Sequence, residues 1–278
     1  MDARPNRRTI LRSAALGALA LACKSGPEGR FGELTLAIQS WTFRRFSIEE
    51  ALGFIAELGL TRVELSPQAS HFGFPATDDQ IAEMRARLAA HGLDCVTSGL
   101  EPVTGDHEMN RAVFEYARRL GLRTIMVDAP PESLDSLEEL CAEYDLRIGI
   151  HNHGPGFRYN TIADVQSALA GRDRRIGAIV DTGHYTRSGV DPIEAFHTFA
   201  GRVYGVHLKD VLAANPAAPD TIVGTGVLDL VGVFRALRDI QFPGDASLSL
   251  EYEANEVAPY EDIVVALDNV AAAVKASR

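Results

Sequence analysis

Positive charge is in short supply in this chain: 27 lysines and arginines stand against 38 aspartates and glutamates, a formal net charge of −11 over 278 residues. No broad basic surface is left to grip a phosphate backbone, which excludes nucleic acid as an expected partner. Cysteine is scarce as well, with three in all. Cys95 and Cys141 fall on a predicted strand and a predicted helix, and two such residues make buried thiols rather than a disulfide scaffold. After about residue 30 the chain has no low-complexity stretch and no Pro/Gly-rich linker, so no internal domain boundary is expected. The apolar run from Ala14 to Ala22 is too short to span a bilayer permanently.

What is present is a 46% hydrophobic composition, enough for a large core, in a length that suits one α/β barrel better than two ordinary domains. The first residues differ from the rest. Arg7-Arg8-Thr-Ile-Leu-Arg12 precedes Ala14 to Ala22, which closes on Ala20-Leu-Ala22-Cys23. These are the charged, apolar and small-residue parts of an export signal, and the paired arginines point to the twin-arginine route. An amphipathic leader on a cytoplasmic enzyme is the alternative, but no polar face interrupts Ala14 to Ala22. The expected organisation is a signal over 1–22, a tether over 23–33 and one body over 34–278, exported to the periplasm. Cleavage would leave Cys23 first or nearly first, which allows a lipid anchor as the one expected membrane contact, although Ala20-Leu21-Ala22 departs from the usual residue order before a lipidated cysteine.

From residue 34 onward strand-like and helix-like patterns alternate, eight of each. The predicted strands are 34–39, 61–66, 93–98, 123–128, 146–152, 176–181, 202–208 and 246–252. Ser47 with Glu50, and Thr77 with Gln80, have capping-box spacing, and Asp191-Pro192 pairs an N-cap with proline at the first helical position. Gly59, Gly92, Gly121, Gly171 and Gly201 fall just past helical runs and just before the next strand, the punctuation of a parallel sheet. The expected fold is α/β, a single (β/α)₈ TIM barrel.

Four metal-ligand residue types stand where successive predicted strands run out: His151, Asp181, His207 and Glu251, separated by 30, 26 and 44 residues. Each gap holds a helical crossover and a return to the same sheet. In strand phase, Ile148, Ile150, Ala178, Val180, Val206, Leu208, Leu248 and Leu250 point toward the helices, so the four polar residues point into the barrel mouth. Beneath them lie Gly149, Ile179, Gly205 and Ser249, mostly small residues that leave room. His153, Lys209 and Glu253 share the inward phase, as does Glu64 on the second strand.

Asp181-Thr-Gly-His184, His207-Leu-Lys-Asp210, Gly224-Thr-Gly226 before a helix, and Leu250-Glu251 occur in the order and spacing of the xylose isomerase-like barrel superfamily, which this chain resembles from residue 34 onward. That superfamily includes sugar isomerases, epimerases, inosose dehydratases and, more distantly, endonuclease IV. The resemblance implies a site for one divalent ion, Mn²⁺, Co²⁺, Mg²⁺ or Zn²⁺, with Asp181, His207 and Glu251 matching the usual ligands; His151, at its own strand end, is the fourth candidate ligand. It further implies proton transfer by Glu251 beside a polarised carbonyl, with His184 or Lys209 serving the substrate oxygen. Many epimerases carry a glutamate where this chain has His151, which puts two-base epimerisation in doubt and keeps a lyase or dehydratase open. The stretch from Ala213 to Gly224 lacks the Asp-x-His pair of the endonuclease IV pattern, so His71 and His107 are not expected to join a metal cluster.

The expected partner is a small sugar or polyol, touched by Glu64, Trp41, His153 and Asp210, with homo-oligomerisation left open. Each contact has a plainer alternative. Lys209-Asp210 can be a rim ion pair, Glu64 can pair with an arginine, and Trp41 and Phe43 can pack in the core rather than stack on a sugar. Gly224-Thr-Gly226 can present amides to a phosphate or simply form a tight turn.

Overall fold

The computed structural model describes residues 29–278. The expected signal, Cys23 and the first part of the tether lie outside the described residues. The tether's described end is docked rather than free: Phe31 packs into the core and Arg30 meets Asp268 at 2.6 Å.

Eight parallel strands form the barrel wall: β1 (Leu36–Gln39), β2 (Arg62–Glu64), β3 (Thr97–Ser98), β4 (Thr124–Val127), β5 (Arg147–His151), β6 (Ile176–Asp181), β7 (Val203–Leu208) and, after a short antiparallel hairpin of β8 (Asp210–Val211) and β9 (Asp220–Thr221), β10 (Ser247–Leu250). Their order is β2-β1-β10-β7-β6-β5-β4-β3, and the parallel bridges Arg62–Asp94 and Leu65–Ser98 join the two edges. This is the expected barrel. The third strand is shorter than the predicted 93–98 because its middle bonds irregularly, with the Val96 carbonyl accepting both Arg123 N and Thr124 N. The β8–β9 hairpin was not anticipated, since its two-residue strands fall below any periodic signal.

The helices are α1 (Ile48–Glu57), α2 (Asp78–Ala90), α3 (His107–Leu120), α4 (Leu134–Tyr144), α5 (Ile162–Leu169), α6 (Thr182–Arg187), α7 (Pro192–Thr198), α8 (Leu230–Asp239) and α9 (Tyr260–Ala276). Both expected capping boxes form, at Ser47–Glu50 and Thr77–Gln80. Each such cap stabilises its helix by about 1 kcal/mol. Asp191 accepts the Ile193 amide with Pro192 at the first turn. The glycines at 59, 92, 121, 171 and 201 all have positive φ, the left-handed conformation that ends a helix.

The outward strand residues Ile148, Ile150, Ala178, Val180, Val206, Leu208, Leu248 and Leu250 are buried in the layer between strands and helices. Inside the barrel Ile179 fills the centre. A Cβ at Gly149 or Gly205 would come within 2.5 and 2.6 Å of its Cδ1, so these glycines make room for one branched side chain directly beneath the polar mouth.

Candidate metal and sugar site

Strand ends deliver the site. His151 closes β5, Asp181 closes β6, His207 lies one residue before the end of β7, and Glu251 follows β10 with its amide bonded to the Leu208 carbonyl at 3.1 Å. All four are at least nine-tenths buried. His207 Nδ1 lies 3.2 Å from His151 Nε2, 3.6 Å from Asp181 Oδ2 and 2.8 Å from Glu251 Oε2, and His151 Nε2 is 3.8 Å from Asp181 Oδ2.

Asp181 caps α6 by accepting the His184 amide on Oδ1 at 2.7 Å, and its backbone N–H is held by Asn152 Oδ1 at 2.7 Å. Its other oxygen, Oδ2, is buried and accepts no hydrogen bond, although it faces the imidazoles of His151 and His207. An orphaned buried carboxylate oxygen is costly unless a cation completes it. Two imidazole nitrogens and two carboxylates suit a divalent ion, and among the described residues His151, Asp181 and His207 each offer a ligand atom within 4.8 Å of the others. The donors fit a metal.

The surroundings fix the ligands. Glu64 Oε1 sits 2.7 Å from His207 Nε2, and its other oxygen accepts Ser249 Oγ at 2.6 Å, with Ser247 Oγ 2.7 Å further along. The expected sugar contact by Glu64 is therefore corrected: its carboxylate is engaged behind His207, holding that ring so that Nδ1 points at the cluster. Burial would strip His207 of its charge, but Glu64 and Glu251 on either side outweigh it and hold its pKa well above the usual value. Burial and the neighbouring His207 push His151 well below it, so His151 stays neutral. Burial alone would raise the Asp181 carboxyl, yet its neighbours, His184 and the Lys209 ammonium first, hold it well below the usual carboxylate range.

Lys209 reaches the same point from the outer side. Its ammonium is fully buried and lies 2.6 Å from Glu253 Oε1, 3.2 Å from Glu251 Oε1, 3.5 Å from Asp181 Oδ2 and 3.4 Å from His184 Nε2. Burial opposes its charge, but Asp181, Glu251 and Glu253 keep its pKa well above the ordinary value. The Asp181-Thr-Gly-His184 motif is built around this lysine. Thr182 Oγ1 bonds the Lys209 amide at 3.0 Å and its carbonyl at 2.6 Å, and a Cβ at Gly183 would meet the lysine stem at 2.6 Å. Desolvation lowers His184 to a pKa of about 3, so that ring is neutral beside the ammonium.

Residues 52–270 match the family described as xylose isomerase-like TIM barrel. The chain belongs to the xylose isomerase-like TIM barrel family. An inosose dehydratase from Geobacillus thermodenitrificans is 29% identical over 147 residues, covering 47% of this chain and 49% of the relative. The chain thus aligns with about half the length of the curated relatives it matches. Among solved structures, 3-keto-D-glucoside 4-epimerase from E. coli superposes with a TM-score of 0.67 at 19% identity, covering 85% of this chain and 98% of that one. A xylose isomerase domain protein from Alicyclobacillus acidocaldarius does so at 0.66 and 20%, covering 87% and 99%. At these identities the superpositions establish the barrel.

Within this family barrel, the other residues singled out by sequence divide into those near the cluster and those turned from it. His153 stacks on His184 with ring centroids 3.9 Å apart and meets Phe157 at 3.9 Å on its other side. Trp41 Nε1 donates to Glu253 Oε2 at 3.1 Å, which places the indole at the rim of the lysine pocket. Asp210 is a correction: it is buried, and its carboxylate accepts four backbone amides instead of facing a substrate. Phe43 belongs to the core, packed against Phe46 and Phe54. His71 bonds the Phe46 carbonyl at 3.0 Å and His107 bonds Ser136 at 2.9 Å, both turned to structural partners.

Three contributors carried no sequence assignment. Asn152, between the two histidines of its motif, clamps the Asp181 backbone on both sides. Glu253, placed in the inward phase but given no role, is the direct partner of Lys209. Arg187, one turn beyond His184, reaches within 3.5 Å of its ring while holding Asp220 at 2.6 Å. The i,i+3 spacing of His184 and Arg187 was the available signal, since such residues share a helix face.

Proposed function

We propose that this protein is a metal-dependent sugar isomerase or epimerase that moves a proton next to the carbonyl of a ketose or keto-sugar. The observation that carries the reading is that Asp181 Oδ2 accepts no hydrogen bond while it faces two imidazoles, with the buried Glu251 carboxylate 2.8 Å from one of them. A divalent ion held by His151, Asp181, His207 and Glu251 would polarise the bound carbonyl and acidify the neighbouring C–H. Glu251 is the proton-transfer group. Burial would raise its pKa, but Lys209 and His207 hold it below the usual range, so it is ionised. The Lys209 ammonium donates to the substrate oxygen on which charge develops, and neutral His184 supports it at 3.4 Å. His153 and Trp41 line the approach. We further infer export from Arg7-Arg8 and the Ala14 to Ala22 run.

A second reading, a lyase or dehydratase of a keto-sugar, keto-glycoside or inosose, draws support from His151, which stands where two-base epimerases need a carboxylate, and from relatives named as inosose dehydratases. A third is an exported sugar-binding module without turnover. One screen separates them: protein loaded with Mn²⁺, Co²⁺, Mg²⁺ or Zn²⁺ is incubated in D₂O with ketoses, inososes and 3-keto-glycosides. Deuterium incorporation into substrate or isomer supports the first reading, loss of water or aglycone the second, and saturable binding without either the third.

A further inference from the structure

We propose that the site takes an uncharged keto sugar or polyol and discriminates against its phosphate ester, because the backbone cradle after β7 is already filled by the chain's own Asp210 carboxylate and the nearby cations are already paired. This rests on the keto-sugar reading above and narrows its substrate class. In a (β/α)₈ barrel the loops after the late strands, leading into a helix N-terminus, are where backbone amides most often seat a phosphate. Here those amides close on a resident anion.

Asp210 Oδ2 accepts Gly224 N and Gly226 N at 2.9 Å each, and Oδ1 accepts Val211 N at 2.9 Å and Leu228 N at 3.1 Å. The loop closes tightly on the carboxylate: a Cβ at Gly226 would stand 2.3 Å from Asp210 Oδ1, so only glycine lets the backbone approach this far. The Asp210–Thr221 pairing of the β8–β9 hairpin and the 3.0 Å bond from Val227 N to Val211 O lock the loop around the carboxylate. Gly224-Thr-Gly226 therefore has the composition of an anion loop, with the anion supplied from position 210.

Charge around the mouth acts in the same direction. Lys209 faces Glu251, Glu253 and Asp181; Arg187 holds Asp220 at 2.6 Å; Arg44 holds Glu256 at 3.2 Å. A phosphomonoester carries about −1.5 to −2 charges at neutral pH. To bind here it would have to take a cation from a carboxylate and leave that carboxylate uncompensated. Hydroxyl groups ask only for hydrogen bonds.

The test has two arms on the full chain. In the first, the keto sugar that exchanges deuterium and its terminal phosphate ester are titrated calorimetrically into Mg²⁺-loaded protein. The ester is expected to bind at least about tenfold more weakly, and equal or tighter binding would overturn the proposal. In the second, inorganic phosphate is titrated into metal-free wild-type protein and into Asp210→Ser, followed by ³¹P line broadening. No saturable binding is expected for the wild type and a gain for the variant; saturable wild-type binding, or a folded variant that gains none, would overturn it. If Asp210→Ser does not fold, the wild-type titration and the ester comparison still decide. The phosphate arm needs no turnover, so a deuterium screen that stays silent on every sugar would sink the keto-sugar reading without touching the assignment of Asp210 as the resident anion.

Discussion

The two ends of the barrel treat buried polarity in opposite ways. Where the strands begin, arginines close over carbonyls. Arg202 donates to Ile176 O at 2.9 Å, Leu169 O at 3.1 Å and Asp173 O at 2.9 Å; Arg62 donates to Gly244 O and Ala246 O; Arg147 pairs with Asp245 at 3.0 Å and lies 4.8 Å over the Tyr204 ring. Where the strands end, carboxylates and imidazoles crowd together and Asp181 Oδ2 accepts no hydrogen bond. At the first end the arginine donors meet carbonyl and carboxylate acceptors, which serves stability. At the second, one buried carboxylate oxygen is left without a hydrogen bond among imidazoles and carboxylates.

The largest effect that would break this contrast is at His207. His207→Ala should abolish metal retention, read by elemental analysis after dialysis, while circular dichroism stays close to wild type. Undiminished retention would remove the residue from the ligand set. Next comes Glu64→Gln, which leaves every ligand in place but weakens the support behind His207. Metal affinity should fall about 10–100-fold by calorimetry, and an unchanged affinity would mean that Glu64 serves only the barrel interior.

At the opposite end, Arg202→Ala should lower stability by about 2 kcal/mol, read from the urea midpoint, because a charged donor leaves several carbonyls at once. Its metal affinity should not change; a parallel loss of affinity would show that the two ends are not separable. The smallest effect is in acid. His184 titrates at about 3 when folded against an ordinary 6.5, so the unfolded chain takes up the proton first as pH falls. The stability this ring contributes is complete above about pH 6.5 and is lost toward pH 3. The buried His151 and the half-buried His153 are lowered in the same direction. His184→Asn should flatten the dependence of the metal-free urea midpoint on pH across that window, and an unaltered slope would count against a neutral buried ring.

Much of the scaffold was legible because its signals are local. Capping boxes at Ser47 and Thr77 are set by residues three apart, and helix-ending glycines by one backbone dihedral. The convergence of His151, Asp181, His207 and Glu251 was legible for a different reason: in a parallel barrel the end of each strand is also one place in space. What escaped were partners contributed across the sheet. Glu64 is 143 residues from His207, and nothing in its local pattern distinguishes a sugar contact from a hydrogen bond behind a ligand. The same holds for Asp210, whose donors lie 14 to 18 residues away on a loop that must fold back around it, apart from the neighbouring amide of Val211.

Sequence alone determined the strand and helix alternation, the barrel and the four polar strand ends, because periodicity and punctuation act over a few residues and the parallel topology then admits few arrangements. Only the tertiary structure decided which carboxylates face the mouth and which are engaged beneath or behind it. That choice depends on which donor a side chain meets across the barrel, and the meeting exists only once the sheet has closed.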